Sequence, residues 1–214
     1  MNPQELEEFA RLGVATVYEA SGRAGLIDVP LHQIVPGSRV AGPARTVLCG
    51  QDDNLMLHAV LATVQPGEVL VVTMPEPRPI AIIGELLATQ ALARKVAGIL
   101  LDASVRDVEE LGQLGLPIWA RFIRVRGATR TNLGQLNVPV KVGGTTVRPG
   151  DIVILDADGA VAVEAERASE VLAASQSREE REAKLREQFQ QGVLSIDLYG
   201  VREQVRAELE RQSF

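Results

Sequence analysis

The 214-residue chain holds one cysteine, two histidines, three lysines (Lys95, Lys141 and Lys184) and only 3% aromatic residues. Each scarcity removes a class of chemistry. A single thiol, Cys49, excludes an internal disulfide and a cysteine-based zinc cage, and it fits a reducing compartment, so a cytoplasmic location is expected. With His32 and His58 alone, a multi-histidine metal site is excluded. Any metal must then rest on carboxylates and water, which points to Mg²⁺ or Mn²⁺. Few rings argue against a stacking platform for single-stranded nucleic acid. Positive charge is also short, 22 Lys+Arg against 28 Asp+Glu for a net charge of −6, so no phosphate-neutralising face and no nucleic-acid partner is expected. No apolar run is long enough to span a bilayer, and the start Met1–Glu8 lacks the basic and apolar regions of a signal peptide, so no membrane partner is expected.

What is present is aliphatic and regular. Hydrophobic residues make up 46% of the chain, enough for a sizeable core built from Val, Leu, Ile and Ala. Asn2-Pro3 opens a helix that Gly13 ends, and Thr16 opens another running to Ala20. Val40 and Ala44–Cys49 read as strands broken by Gly42-Pro43, and Asp52 or Asp53 caps a helix over Asn54–Val64. From Val69 onward strands and helices alternate: Val69–Thr73, a helix from Gly84 to about Lys95, Gly98–Asp102, a helix over Val105–Leu114, then Pro117–Ala120. That alternation predicts a partly parallel sheet in a mixed α/β fold. Residues 138–163, with Gly143-Gly144, Pro149-Gly150 and Asp158-Gly159 turns, read as an antiparallel module. After Glu164 the composition turns charged and helical. The expected division is therefore a body over 1–164 and a helical arm over 165–214 that packs on a neighbouring subunit.

Two short segments carry chemistry. Gly84-Glu85-Leu86-Leu87 sets a glycine before a helix whose first free N–H groups, those of Leu86 and Leu87, suit an anion. Arg106-Asp107 follows a buried strand, where α/β folds place ligands, and offers a guanidinium fork beside a hard carboxylate. Each alone also fits an ordinary helix start, with Glu85 as a first-turn acid and Ser104 or Asp107 as a cap. The twenty residues between Glu85 and Arg106 span one helix and one strand, which can return both to one crevice. Asp102 is nearby in sequence, so Glu85, Asp102, Arg106 and Asp107 form a candidate set of three carboxylates and one arginine. A Schiff-base mechanism has only Lys141, flanked by Val140 and Val142, as a plausible lysine. His58 fits either a general base or, more simply, a histidine packed against its own helix.

The Gly84-Glu85 and Arg106-Asp107 pairs at this spacing resemble the G-(D/E)-x20-R-D signature of the class II pyruvate aldolases, the 4-hydroxy-4-methyl-2-oxoglutarate/4-carboxy-4-hydroxy-2-oxoadipate aldolase family. That family shares its fold with the regulator of ribonuclease activity A (RraA). The likeness extends to Thr16–Gly22, Val40–Ala44, Asp53–Met56, Asp102–Asp107, Asn137–Val140, Arg148–Asp151 and Asp156–Gly159. The resemblance implies an αββα sandwich of the swivelling β/β/α type with a C-terminal helical extension, assembled as trimers or hexamers. It implies that Asp107 binds Mg²⁺ or Mn²⁺ and that Arg106 grips the pyruvyl carboxylate and stabilises an enolate. The N–H groups of Leu86 and Leu87, after Gly84, would hold the substrate carboxylate. Glu85, in a position that is often Asp, would join an acid/base relay through water held by the metal. A tail glutamate from a neighbouring subunit, best matched by Glu182 with Glu179 and Glu180 as rivals, would complete the site. The substrate would be a small α-keto acid, cleaved to pyruvate, and oxaloacetate would be decarboxylated through the same enolate. The alternative is a non-catalytic regulator of the RraA type acting through protein binding; the long tail and the intact Glu85, Arg106 and Asp107 set favour the enzyme. A methyltransferase reading lacks a glycine-rich cofactor loop after a strand.

Overall fold

The computed structural model describes residues 1–212. In chain order the elements are α1 (Pro3–Ala20), β1 (His32–Gln33), β2 (Val40–Leu48), α2 (Leu55–Leu61), β3 (Val69–Thr73), β4 (Ala81–Ile83), α3 (Glu85–Ala93), β5 (Gly98–Val105), α4 (Val108–Leu114) and β6 (Ile118–Ile123). They continue as β7 (Gln135–Leu136), β8 (Val140–Val142), β9 (Thr145–Val147), β10 (Ile152–Asp156), β11 (Gly159–Val163), α5 (Ala168–Gln190), α6 (Ser195–Leu198) and α7 (Arg202–Gln212).

The start of α1 is fixed by a reciprocal cap: Asn2 accepts the Glu5 N–H and the Glu5 carboxylate accepts the Asn2 N–H, with Pro3 at the first helical position. The expected break at Gly13 is a kink inside one helix. Gly13 adopts φ 82°, and the Asp156 carboxylate accepts the Val14 N–H at 2.9 Å, so the two halves bend around a buried acid on β10.

The main sheet runs β1-β6-β5-β3-β2-β10-β11, with β4 added beside β5 and β7 beside β2. β2 is the strand on which the fold turns. Its first half pairs antiparallel with β10 and its second half, from Ala44, pairs parallel with β3. Gly42-Pro43 therefore marks a change of partner within one continuous strand, where the sequence suggested a break. β3 and β5 are buried along their whole length, as expected for parallel strands covered on both faces. Helices α2, α3 and α4 cover one face through Leu57, Leu61, Ala88 and Leu111 against Leu70, Val72, Ile99 and Leu101. The β8–β9 hairpin covers the other around Trp119, whose indole N–H donates to the Asp156 carbonyl at 2.7 Å. Phe9 and Val17 of α1 pack on β10 and β11 together with Val171 and Leu172, the buried start of α5.

The chain divides into two compact units, Met1–Ser175 and the residues from Gln176 onward. The first extends beyond Glu164 because Ala168, Val171, Leu172 and Ser175 are buried. The second holds the charged remainder of α5 with α6 and α7. No helix among the described residues is long and apolar enough to cross a membrane.

Candidate active site

β4 and β5 run parallel with Ile83 opposite Val105, so the residues that follow them emerge side by side. The Arg106 N–H donates to the Ile83 carbonyl at 3.2 Å, extending the ladder by one rung. This register gives the spacing its meaning: α3 and β5 occupy the interval, and Gly84-Glu85 meets Arg106-Asp107 at adjacent strand ends. Gly84 has an extended backbone open to any residue, and its lack of a side chain leaves the room that the Asp107 carboxylate occupies. A Cβ there would lie 2.4 Å from Asp107 Oδ2 and 3.2 Å from Arg106 Nε.

Asp107 occupies the left-handed region (φ 59°, ψ 44°), which Asp tolerates better than most residues. It precedes α4 without capping it. Its Oδ2 turns back to accept the Glu85 N–H at 3.1 Å and lies 3.6 Å from Arg106 Nε. With that N–H used, and Ala88 bonded to Gly84, the first turn of α3 keeps the N–H groups of Leu86 and Leu87 for a ligand. A cleft of about 220 Å³ opens here, lined by Gly84, Leu86, Leu87, Arg106 and Asp107 together with Asn54, His58, Ala128 and Arg130 from other segments.

The second set comes from α2 and from the segment after β6. Residues 126–128 pair with the outer edge of β4 through Ala81. The next residues are clamped by Asp53, which is fully buried. Asp53 Oδ2 accepts the Thr129 hydroxyl at 2.6 Å and the Thr131 and Asn132 N–H groups at 2.7 and 3.0 Å, while Oδ1 caps α2 through the Leu55 N–H at 2.8 Å. Burial alone would raise the Asp53 pKa; these four donors outweigh it and hold the group at about 2. Cys49 nearby is buried, and burial together with the Asp53 charge pushes its thiol up to about 12, which suits packing and not nucleophilic attack.

The cleft unites Gly84, Leu86, Leu87, Arg106 and Asp107. Other residues of interest lie elsewhere. The Glu85 side chain does not line the cleft, because its Oε1 accepts the Thr89 hydroxyl at 2.8 Å along α3. Asp102 does not join Asp107. β5 continues to Val105, and Asp102 alternates away from Leu101 and Ala103, its buried carboxylate pairing with the half-buried Arg121 at 2.9 Å. Glu182 belongs to the second unit, where it pairs with Arg178 at 2.7 Å. Lys141 is solvent-exposed on the hairpin, so no desolvated amine is available there. His58 is also exposed and lines the cleft, contrary to the packed role expected for it. Arg130 went unnoticed in the sequence. Its signal was the run Arg121, Arg124, Arg126 and Arg130 in an otherwise acidic chain.

The donor set fits a hard cation. Among the described residues no three His, Cys, Asp or Glu side chains gather to cage a metal. Asp107, partly exposed and with one oxygen not used by Glu85 or Arg106, offers a single carboxylate beside open space for water, as Mg²⁺ accepts.

Residues 14–162 match the model of the RraA-like family, described as Aldolase/RraA, and the chain belongs to that family. A Halalkalibacterium halodurans protein provisionally named 4-hydroxy-4-methyl-2-oxoglutarate aldolase is 29% identical over 170 residues, covering 79% of this chain and 80% of that protein. An uncharacterised Pseudomonas syringae protein superposes with a TM-score of 0.79 at 26% identity, over 91% of this chain and 96% of that one. Streptomyces coelicolor RraAS2, described as an unusual member of the RNase ES inhibitor RraA protein family, superposes with a TM-score of 0.75 at 30% identity, over 87% of this chain and 97% of that one. The fold is thus RraA-like mixed α/β with a C-terminal helical extension.

Proposed function

We propose that the protein is a divalent-metal-dependent class II aldolase that cleaves 4-hydroxy-4-methyl-2-oxoglutarate or 4-carboxy-4-hydroxy-2-oxoadipate to pyruvate and a second keto acid, and that decarboxylates oxaloacetate. The observation that carries this reading is the meeting of Arg106, Asp107 and the N–H groups of Leu86 and Leu87 in one cleft at adjacent parallel strand ends.

The chemistry follows from charge. Breaking the C3–C4 bond of a γ-hydroxy-α-keto acid leaves the electron pair on the pyruvyl fragment as an enolate, while the C4 hydroxyl loses its proton and becomes a carbonyl. The Leu86 and Leu87 N–H groups bind the α-carboxylate, aided by the α3 dipole. Arg106 donates to the keto oxygen, where negative charge develops, and is stronger there in the transition state than in the ground state. Asp107 would hold Mg²⁺ or Mn²⁺, which would supply Lewis-acid stabilisation of developing negative charge. Glu85, bonded along its helix to Thr89 in this structure, would turn from that partner toward the cleft to relay the C4 hydroxyl proton through water, and Glu182 would reach the site of a neighbouring copy in a trimer or hexamer. Gly84 lets Asp107 approach the start of α3.

Purified protein with Mg²⁺ is expected to release pyruvate from either substrate, to lose this activity with EDTA, and to lose about 100-fold or more in kcat on Arg106→Ala substitution. Activity that survives EDTA with a borohydride-trapped adduct overturns the metal mechanism. The likeness to RraAS2 supports the second reading, a non-catalytic regulator, which absence of any pyruvate release in the presence of metal would favour.

A further inference from the structure

We infer that Gly127 is a positioning residue for Arg106: its bare backbone sets where the guanidinium lies, and so where a keto acid is gripped. The identity of the ligand rests on the aldolase reading; the placement of the arginine does not.

No local feature of the chain calls for a glycine at 127. The residue is exposed, and its φ lies outside the left-handed region that favours glycine. A glycine in paired backbone costs stability and often marks the close approach of another group. The segment is paired: the Ala81 N–H donates to the Arg126 carbonyl at 2.7 Å, and the Ala128 N–H donates to the Ala81 carbonyl at 3.2 Å. The group that approaches is Arg106. A Cβ on Gly127 would stand 3.0 Å from Arg106 Nη1 and, its chain neighbours aside, would meet no other heavy atom of the described residues within 4 Å.

Arg106 reaches this point across the end of β4. It follows β5, and its Cγ and Nε lie 3.2 Å from where a Gly84 Cβ would stand. Its tip ends over Gly127, in the segment that pairs with the outer edge of β4 through Ala81. The side chain is thus laid over two positions that have none of their own. Asp107 takes the Nε side at 3.6 Å and is its one ion-pair partner among the described residues. The edge formed by Nη1 and Nη2 is left to grip a ligand oxygen in the planar fork that makes arginine directional. Burial does not hold this side chain, which is half exposed; the shape of the floor beneath it does.

A methyl group at 127 would rest at about 3.5 Å from a nitrogen. The segment carrying it is hydrogen-bonded to β4, so the half-exposed guanidinium gives way, by about half an ångström. A misplacement of about 1 Å costs a site about 100-fold, so about tenfold is expected here.

The test compares Gly127→Ala with wild type, first without ligand. Crystal structures are expected to show the Arg106 guanidinium displaced from residue 127 with the pairing to β4 intact. A guanidinium that keeps its place while the segment shifts overturns the inference. In titration calorimetry with Mg²⁺ present, pyruvate is expected to bind Gly127→Ala about tenfold more weakly. The same change in an Arg106→Lys background is expected to cost less than about twofold, because the lysine chain is too short to reach Gly127. Unchanged affinity, or equal weakening in both backgrounds, overturns the positioning role. A wild type that binds no pyruvate overturns the keto-acid half. Pyruvate binding that responds as expected, with no aldol cleavage, would leave Gly127 in its role and remove the aldolase reading.

Discussion

Replacing Asp53 by Asn tests how the cleft is held. The native carboxylate accepts four donors, three of them from the Thr129–Asn132 loop. Its pKa is lowered from 3.8 to about 2, and a displacement of that size corresponds to about 2 kcal/mol of folding free energy at neutral pH. Asn offers one acceptor oxygen in place of two. Whichever way the amide turns, its NH₂ faces at least one backbone N–H that loses its acceptor, a further cost of about 1 kcal/mol or more. The sum, about 3 kcal/mol, corresponds to a fall in Tm of about 6–12 °C for a chain of this size. The pH dependence has a definite sign. A depressed folded-state pKa gives stability that is complete above the unfolded value and is lost as pH falls through the folded one. The gap between wild type and variant should therefore be full at neutral pH and narrow from about pH 4 toward pH 2. Calorimetric or circular-dichroism melts across that range measure it. A variant that melts within about 2 °C of wild type at pH 7, or a gap that does not narrow in acid, would refute the reasoning.

Gly84→Ala should leave the melting temperature nearly unchanged while weakening Mg²⁺ binding, measured by titration, because the new methyl meets the mobile end of the Asp107 side chain and displaces it. Unaltered Mg²⁺ affinity would count against Asp107 as the ligand. Arg121→Met should destabilise the fold by about 3 kcal/mol in denaturant melts, since it leaves the buried Asp102 unpaired, and should spare the affinity for pyruvate. A loss of that affinity with stability intact would instead place Asp102 in the functional site.

The helices, the parallel strands and the Gly84-Glu85 to Arg106-Asp107 spacing were legible because each is local or follows chain order. β3 could be bounded from the valine run and the Pro66-Gly67 turn before it. The continuous course of β2 was hidden, since Gly42-Pro43 looks like a breaker and only the partners on either side keep the strand going. Asp102 was misplaced for a related reason: strand pairing carries β5 three residues beyond it, and alternation then turns it away from the cleft. Arg130 was missed because nothing next to it in sequence marks it. Asp53, more than seventy residues earlier, is what fixes its loop. Long-range hydrogen bonds of that kind have no periodicity to read.

The central claim is that this cleft stabilises a pyruvate enolate. It is tested most directly by incubating pyruvate with the protein and Mg²⁺ in D₂O and following the methyl resonance by NMR. The account predicts steady loss of the methyl protons to exchange with wild type, and loss of that exchange with EDTA or in Arg106→Ala. Methyl protons that persist with wild type and metal, or that exchange equally in Arg106→Ala, would contradict it.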